Sequence, residues 1–427
     1  MHLTLEMKYL KLYHDNSLLA IKSGRQSYYP SQRVKELLEI FRCMVNDCMK
    51  TGLETDTSSL KRLSTLSYRQ LKGYKCPSAY RLAAISRAAG ILASRKKSLR
   101  RGYPTKTPYM SKLVLISCYG FKIEVGNLRI PLGERKFEFI LLTPHLVRIL
   151  SDPLLNVRSF TLNETIVSLC FSKEVVQVKC SGTVGVDRNL RNLTMGNQNQ
   201  VTKFDLSDAV RIADTTRRII SSFKRDDDRI REELSSKYGR RRHNRIQHTL
   251  HNTTKAIVAD ALKHKEAIVL ENIEGIRRLY RRGNGQGPKR RHRMNSWSYG
   301  EAQRQLVYKA QWVGLPIIRL SRSETRGTSI ICPRCGERLQ EDRRLRRKLW
   351  CQSCRCIMDR DAVAAINLSR RGRLRFDRSR APVGLQGGAV EAVKGNPITT
   401  VIPGVDAPKP SLDSTNPRLD RTRIPFH

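Results

Sequence analysis

The chain has 427 residues, and its 81 Lys and Arg against 38 Asp and Glu give a formal net charge of +43 at pH 7. Such an excess opposes compaction unless an anionic partner neutralises it, which favours nucleic acid or an anionic membrane as that partner. The hydrophobic content of 39% is enough to build cores in about three domains, and this excludes a wholly disordered basic tail protein.

The sequence argues against membrane insertion and secretion. No run approaches the ~20 consecutive apolar residues of a spanning helix. Residues 1–19 alternate apolar and charged side chains and contain no apolar signal core, so we expect a soluble chain in a reducing compartment. Eleven cysteines in such a compartment favour metal ligation or ordinary burial over a disulfide framework.

The first 180 residues predict a β-barrel that is interrupted by helices. Alternation with period two predicts a strand within 2–12 and several short strands between 113 and 178. Between 31 and 100, apolar residues instead recur at three- and four-residue intervals, as they do in helices. We therefore assign residues 1–30 and 101–180 to the barrel and residues 31–100 to a helical insertion between barrel strands.

Two acidic residues stand where predicted buried strands end. Asp187 follows a strand at 183–186, and Glu271 ends the fully apolar run 267–270. Solvation is a poor explanation for a carboxylate at the end of a buried strand in a chain this basic. Taken singly, however, each acid is as compatible with an ordinary surface or capping role as with a functional one.

Two basic segments are candidates for nucleic-acid contact. Residues 229–262 have a helical pattern with one apolar face and a crowded basic middle, and a solvated helix face is the alternative interpretation. Residues 277–293 carry eight Lys or Arg and no acid, and three glycines and a proline predict a mobile loop without regular structure. The residues that we expect to contact phosphates are Arg240, Arg241, Arg242, Arg245, Arg281, Arg282, Lys289, Arg290 and Arg291.

Four cysteines, Cys332, Cys335, Cys351 and Cys354, have the spacing C-x2-C-x15-C-x2-C. Each pair places two thiolates on a tight turn, and two pairs complete the tetrahedral sulfur cage that Zn²⁺ prefers. Four thiolates leave no coordination position open, so the spacing predicts one structural zinc. Cys356 is most simply a buried thiol, with substitution as a zinc ligand as the alternative.

A third acid, Asp361, opens a predicted helix, where a role as N-cap alone is the simplest alternative. Together, Asp187, Glu271 and Asp361 suggest a convergent cluster that holds two divalent cations. Phosphodiester hydrolysis uses such a cluster, because one metal activates water and the other stabilises the leaving oxygen. Hard Mg²⁺ takes oxygen ligands, so we predict Mg²⁺ at these three carboxylates.

Five segments resemble, in order and spacing, the split RuvC-like nuclease of TnpB, the transposon-associated RNA-guided endonuclease related to type V CRISPR effectors. They are GVDRNLRNLTMGN (185–197), IVLENIEGI (268–276), WSYGEAQRQLVYKAQWVGLP (297–316), TSIICPRCG (328–336) and CQSCRCIMDRDAVAAINL (351–368). The resemblance covers about residues 182–371. Two positions depart from the family pattern: Arg355 stands where Gly is common, and Val363 where Asn is common, and neither replaces a metal ligand.

The resemblance implies a multidomain α+β protein. An RNase H-like (RuvC) α/β nuclease domain is implied over 181–327 and 359–371, with a zinc ribbon inserted over 328–358. By position, the resemblance makes Asp187, Glu271 and Asp361 the catalytic acids, and Asp359 is the fallback for the third. The barrel is then wedge-like, the helical insertion is a recognition domain, and the proline-rich residues 372–427 form a disordered tail.

The function implied by this resemblance is RNA-guided cleavage of DNA next to a short motif, in the service of a transposable element. Guide RNA and target DNA are the implied partners, Zn²⁺ and two Mg²⁺ the implied cofactors, and the cytoplasm of a prokaryote, at the nucleoid, the implied location. The alternatives are a structure-specific DNA resolvase on the same fold and a non-cleaving RNA-guided regulator. A zinc-ribbon transcription factor leaves the acids at the strand ends unexplained.

Overall fold

The computed structural model describes residues 17–223, 227–273, 275–341 and 347–378. These residues form two compact units, one made of residues 17–22 and 173–378 and the other of Ser23–Ser172. Both units combine helices and sheets, which confirms the predicted multidomain α+β class. Among the described helices, none is both long enough and apolar enough to cross a membrane.

The unit Ser23–Ser172 contains helices between its first two strands. Ser31 accepts a hydrogen bond from the Val34 N–H and so caps the first helix, whose buried residues recur at helical spacing. The helices are α1 Gln32–Glu54, α2 Leu60–Ser67, α3 Ser78–Arg100 and α4 Pro144–Leu150. The strands are β1 Ser17–Ser27, β2 Val114–Ser117, β3 Lys122–Glu124, β4 Asn127–Gly133, β5 Lys136–Leu141, β6 Asn156–Asn163 and β7 Ile166–Val176.

The sheets of these seven strands are open, which corrects the predicted barrel over 1–30 and 101–180. One sheet has the order β1-β7-β6-β2 and the other the order β3-β4-β5, and no closed barrel is found among the described residues. A tight turn at Val125 and Gly126, both with positive φ, pairs β3 with β4, and a second turn after Gly133 pairs β4 with β5. The strand predicted within 2–12 lies outside the described residues.

The unit of residues 17–22 and 173–378 is built on a five-stranded mixed sheet with the order β10-β9-β8-β11-β12. The first three strands form an antiparallel meander, whereas β11 runs parallel to both β8 and β12. The strands are β8 Gly182–Arg188, β9 Asn192–Gly196, β10 Val201–Asp205, β11 Glu266–Leu270 and β12 Ile317–Arg319. The helices are α5 Ser207–Ser221, α6 Ser235–Lys263, α7 Pro288–Ser296, α8 Tyr299–Trp312 and α9 Arg360–Arg378.

Both faces of this sheet are buried. Ile268 and Leu270 of β11 belong to a core that includes residues of α5, α6 and α8. Ala267 and Val269 face the opposite side, where they share a core with Leu368 of α9. Burial on both faces explains why β11 is apolar at every position after Glu266, since a strand with one solvated face alternates instead.

Gly185 allows α9 to lie directly against β8. A Cβ at this position would lie 2.0 Å from the Ala365 carbonyl oxygen and 2.7 Å from the Ser369 nitrogen, so a larger residue would push the helix away. Hydrogen bonds hold the contact, because the Ser369 hydroxyl donates to the Thr183 carbonyl oxygen at 2.6 Å. This close approach fixes the helix of Asp361 on the strand of Asp187.

Helix α9 also revises one predicted boundary. It continues to Arg378, so residues 372–378, which were assigned to the disordered tail, are helical. The predicted tail beyond them, residues 379–427, lies outside the described residues.

Candidate active site and zinc ribbon

Asp187 and Glu271 lie side by side because β8 and β11 are parallel and in register. Val186 pairs with Leu270, and Asp187 and Glu271 are the next residues of the two chains. The carboxyl ends of parallel neighbours meet at one edge of a sheet, which is where α/β proteins commonly bind ligands. The apolar runs before the two acids therefore position them.

Asp361 reaches the same edge from the first turn of α9. Its side chain is only 2% exposed, and the Asn192 side-chain amide donates to its Oδ2 at 3.2 Å. Capping of the helix is left to Asp359, whose Oδ1 accepts hydrogen bonds from the backbone N–H groups of Asp361 and Ala362 at 2.9 and 3.2 Å. The structure thus gives the capping role, which the sequence allowed for Asp361, to Asp359.

The three carboxylates interact electrostatically. The pKa of Asp187 is raised to about 7, chiefly by burial and then by the negative charges of Glu271 and Asp361. Burial likewise raises the pKa of Glu271, against the nearby charge of Arg188. The three carboxylates do not meet at one point, because their oxygen atoms do not all come within 4.8 Å of one another.

Arg188 is a buried arginine behind the cluster. Its guanidinium donates to the Glu271 carbonyl oxygen and to Gln303 Oε1, each at 2.5 Å. Its Nε has no hydrogen-bond partner and lies 3.9 Å from Glu271 Oε1. Arg188 therefore holds the backbone of Glu271 and places a positive charge beside its carboxylate, at the cost of one unsatisfied donor.

Two further cations approach Asp361. Arg347 forms an ion pair with Asp361 and donates to Asn189 Oδ1 at 3.4 Å, while the Asn189 amide donates to Asp187 Oδ2 at 2.6 Å. Lys203 Nζ lies 3.9 Å from Asp361 Oδ2 and pairs with Asp359 at 2.6 Å. The carboxylates are thus partly, and unevenly, neutralised: Glu271, Asp359 and Asp361 have ion pairs, while Asp187 accepts a hydrogen bond from a neutral amide.

The four predicted zinc ligands converge. The sulfur atoms of Cys332, Cys335, Cys351 and Cys354 all lie within 4.8 Å of one another. The Sγ–Sγ separations are 3.9 Å between Cys332 and Cys354 and 3.4 Å between Cys335 and Cys351. Tetrahedral ligation with Zn–S bonds of about 2.3 Å separates the sulfurs by about 3.8 Å, so the thiols fit a zinc ion. Cys356 lies outside this group of four.

A small sheet and a small core surround the thiols. Strands β13 Gln340–Glu341, β14 Lys348–Cys351 and β15 Cys356–Asp359 pair in an antiparallel arrangement. Leu339, Leu349 and Val363 are buried together with Cys332 and Cys351. So few apolar residues make a weak core, and a metal ion is the usual means of stabilising a unit of this size.

Arg355 explains one departure from the family pattern. Its φ is 48°, in the left-handed region, which glycine adopts without strain. Gly336, which follows the second cysteine, has a φ of 83° in the corresponding turn. The turn is therefore kept with arginine, at a conformational cost of roughly 1 kcal/mol that zinc ligation by Cys354 can offset.

Comparisons with known proteins agree with this arrangement. A family model described as Cas12f1-like, TNB domain, matches residues 299–368. A TnpB-like protein of Methanocaldococcus jannaschii is 28% identical over 236 residues, covering 50% of this chain and 80% of its own length. A second TnpB-like protein of that organism is 25% identical over 362 residues, covering 83% of this chain and 80% of its own length.

The chain is thus similar to TnpB-like proteins and, over residues 299–368, to the Cas12f1-like TNB domain. Its fold is similar to that of Cas12f1 in the cryo-EM structure of a Cas12f1–sgRNA–target DNA complex, with a TM-score of 0.54 and 13% sequence identity. That match covers 79% of this chain and 83% of the Cas12f1 chain.

The basic residues predicted to contact phosphates lie mostly on regular structure. Those between 240 and 245 are carried by α6, and Lys289, Arg290 and Arg291 by α7. The prediction of an irregular loop over 277–293 is therefore wrong in part: Ile276–Tyr280 forms a 3₁₀ turn, and Pro288 opens α7 because proline suits the first helical turn. All are exposed except Arg242 and Arg291, which are half-buried.

Sequence reasoning missed the polar groups that surround the acids. Arg188 and Asn189 directly follow Asp187, so their proximity was open to prediction. Asn192 comes from β9, which pairs with β8, Lys203 comes from β10 on the far side of β9, and Arg347 comes from the ribbon. No spacing in the sequence marks these three, because only the folded sheet and ribbon bring them to Asp361.

Proposed function

We propose that this TnpB-family protein is an RNA-guided DNA endonuclease of a transposable element, which hydrolyses DNA next to a short motif in a reaction that depends on Mg²⁺. The observation that supports this most strongly is the convergence of Asp187, Glu271 and Asp361 at one sheet edge, where Asp187 feels the charge of both others. We assign the catalytic role to these three acids, and we assign an RNase H-like (RuvC) fold to the domain whose sheet carries them.

The carboxylates suit Mg²⁺. They offer hard oxygen donors, and the raised pKa of Asp187 reflects a carboxylate that is buried and whose negative charge is then repelled by its neighbours. Asp187, Glu271 and Asp361 would hold the ions, and bound Mg²⁺ would supply activation of water and stabilisation of the leaving oxygen. Their wider spacing is compatible with two ions, since paired metals in nucleases lie about 4 Å apart.

The residues around the acids would keep the carboxylates in place. Asn189 and Asn192 hold one oxygen each of Asp187 and Asp361 by hydrogen bonds, so these side chains cannot rotate freely. Arg188 fixes the Glu271 backbone from within the core. Arg347, half-exposed on the ribbon, is placed to contact a phosphate that approaches Asp361.

RNA guidance is supported by the family and by charge. Among proteins of similar fold, Cas12f1 has been solved with an sgRNA and target DNA. A nucleic-acid duplex carries about one negative charge per 1.7 Å of axis, so a guide and its heteroduplex would offset the net charge of +43. In guided systems, base pairing reads the sequence and the protein reads backbone shape and a short motif.

The test is to purify the full chain with the RNA that accompanies it and to sequence that RNA. Plasmids that carry the matching sequence beside a randomised motif are then incubated with the complex and Mg²⁺. We expect linear product from a subset of motifs, none from a scrambled target, and none in EDTA. Cleavage of branched DNA by RNA-free protein would instead identify a resolvase, and stable guided binding without any cut would identify a regulator.

A further inference from the structure

A cluster of four lysines lies at the end of α8, in the unit of residues 17–22 and 173–378: Lys22 and Lys173 lie over the Trp312 ring, and Lys309 and Lys255 lie nearby. Lys22 Nζ lies 5.4 Å and Lys173 Nζ 4.7 Å from the centroid of the indole ring, over its π-system. Lys309 lies one helical turn before Trp312, close enough to feel the charges of Lys22 and Lys255. The cluster was not predicted, because its members come from β1, β7, α6 and α8.

The cluster is rich in charge and poor in counter-charge. Among the residues that the structure describes, none of the four lysines forms an ion pair with a carboxylate. Lys309 is half-buried, and its Nζ donates to the His251 carbonyl oxygen at 2.6 Å and to Thr254 Oγ1 at 2.7 Å, both neutral acceptors. Burial, and then the charges of Lys22 and Lys255, lower the pKa of Lys309 to about 8.

This arrangement is unfavourable for the free chain. Partly desolvated ammonium groups repel one another, and the indole ring offsets only part of that repulsion. A bound anion with several charges would relieve it and would raise the pKa of Lys22 and of Lys309 toward the ordinary value. Because the cost is present whenever the cluster is empty, a ligand that stays bound suits it better than one that exchanges.

The cluster is separate from the carboxylates. Gln303, which contacts Arg188 beside Glu271, and Trp312 are nine residues apart on α8. At about 1.5 Å per residue that is about 14 Å along the axis, and nine steps of 100° place the two side chains on opposite faces of the helix. A phosphate at the cluster is therefore not the phosphate that the acids would attack.

We propose that Lys22, Lys173, Lys255 and Lys309 form a binding site for backbone phosphates of the guide RNA, with Trp312 holding Lys22 and Lys173 in place. The inference rests on the proposed function, and it assigns to this site the nucleic acid that remains bound between rounds of cleavage. We choose phosphate as the ligand because none of the four lysines has a carboxylate partner. We choose RNA over DNA because the cluster favours an anion that stays bound.

The test compares two double variants that each remove two positive charges from this unit. Lys173→Ala with Lys309→Met disrupts the cluster, and methionine keeps the packing of the half-buried stem. Lys179→Ala with Lys263→Met is the matched control, because Lys179 and Lys263 are exposed. The probe is the RNA that copurifies with the wild-type chain, end-labelled and added back to RNA-stripped protein, with filter binding measured from 50 to 300 mM KCl.

We expect the cluster variant to bind this RNA about tenfold more weakly at 150 mM KCl, with a salt slope that is shallower by about 1.4. The control should stay within about twofold. Equal losses in both variants, or a cluster variant that loses only binding to duplex DNA, would overturn the inference. If the wild-type chain binds no RNA, the proposed function fails together with the inference; if the wild type binds and the cluster variant binds equally well, only the inference fails.

A second pair guards against misfolding. Lys22→Gln with Lys255→Gln leaves Lys309 and its hydrogen bonds intact, and we expect it to weaken RNA binding in the same direction. Circular dichroism melts of all three double variants should match the wild type to within a few degrees. Normal RNA binding by this second pair, in a folded protein, would also overturn the inference.

Discussion

Replacing any one of the three converging acids by its amide, as Asp187→Asn, Glu271→Gln or Asp361→Asn, is expected to reduce Mg²⁺-dependent DNA cleavage by on the order of 10³-fold or more. Each amide keeps the shape of the side chain and removes one negative charge from a metal site. RNA binding should stay within about twofold, because each substitution removes a carboxylate and leaves every phosphate-binding cation in place. Single-turnover cleavage of a matched target and filter binding of the copurifying RNA measure the two effects.

Asp359→Asn is the matched control for Asp361→Asn. Asp359 caps α9 and pairs with Lys203, and asparagine is also a good capping residue. We therefore expect a loss of stability of about 0.5 kcal/mol and cleavage within about fivefold of wild type. If Asp359→Asn abolishes cleavage while Asp361→Asn spares it, then Asp359 and not Asp361 is the catalytic acid, and our assignment is wrong.

The second large effect concerns the ribbon. Cys351→Ser should lower the zinc content from one ion per chain to less than about 0.1, because serine cannot replace a thiolate in a four-sulfur site. Cys351 also lies in the small buried core, so loss of the metal should unfold residues 328–358. Cleavage should fall with it, since Arg347 reaches Asp361 from the ribbon.

Cys356→Ser is the control for the ribbon. Its sulfur lies outside the group of four, so the variant should keep one zinc and a protease-resistant ribbon. Elemental analysis of metal bound per chain, together with limited proteolysis, measures both outcomes. A Cys351→Ser protein with a full zinc ion would refute the assigned ligand set, as would a Cys356→Ser protein without one.

The site was more predictable from the sequence than the fold around it. The apolar run 267–270 and the C-x2-C pairs are local patterns, and each carries its own physical reason. Asp187 and Glu271 meet because the apolar strands before them pair in parallel, so strand-end position alone brought the two acids together. Asp361 needed a further contact, the packing of α9 on Gly185, which the sequence showed only through the family resemblance.

The barrel and the supporting cations show where such reasoning ends. Strand periodicity predicted strands in the unit Ser23–Ser172, but it did not predict how they pair, and they form two open sheets instead of a barrel. Glycines before Pro288 suggested an irregular loop, whereas a proline at the first helical position starts α7. Arg347 and the lysines around Trp312 depend on long-range contacts, and no local spacing records them.

The central claim is that the three acids bind divalent cations as a group, and a melting experiment on RNA-free protein tests it most directly. In the folded chain the pKa of Asp187 is about 7, against an ordinary value of 3.8. Because the pKa is higher in the folded chain than in the unfolded one, protonation of Asp187 favours the folded state; this contribution is fully present below about pH 4 and is lost as the pH rises through 7. Without metal at pH 8, Asp187→Asn should therefore melt at a higher temperature than the wild type, and at pH 4 the two should melt alike.

Added Mg²⁺ should narrow that difference at pH 8. It binds only the folded wild-type cluster, so 10 mM Mg²⁺, roughly 100 times a dissociation constant of ~0.1 mM, would stabilise that protein by about 2.7 kcal/mol. The Asp187→Asn protein should not respond. Our account predicts a rise in melting temperature of several degrees for the wild type alone, and an equal rise in both proteins, or none in either, would contradict it.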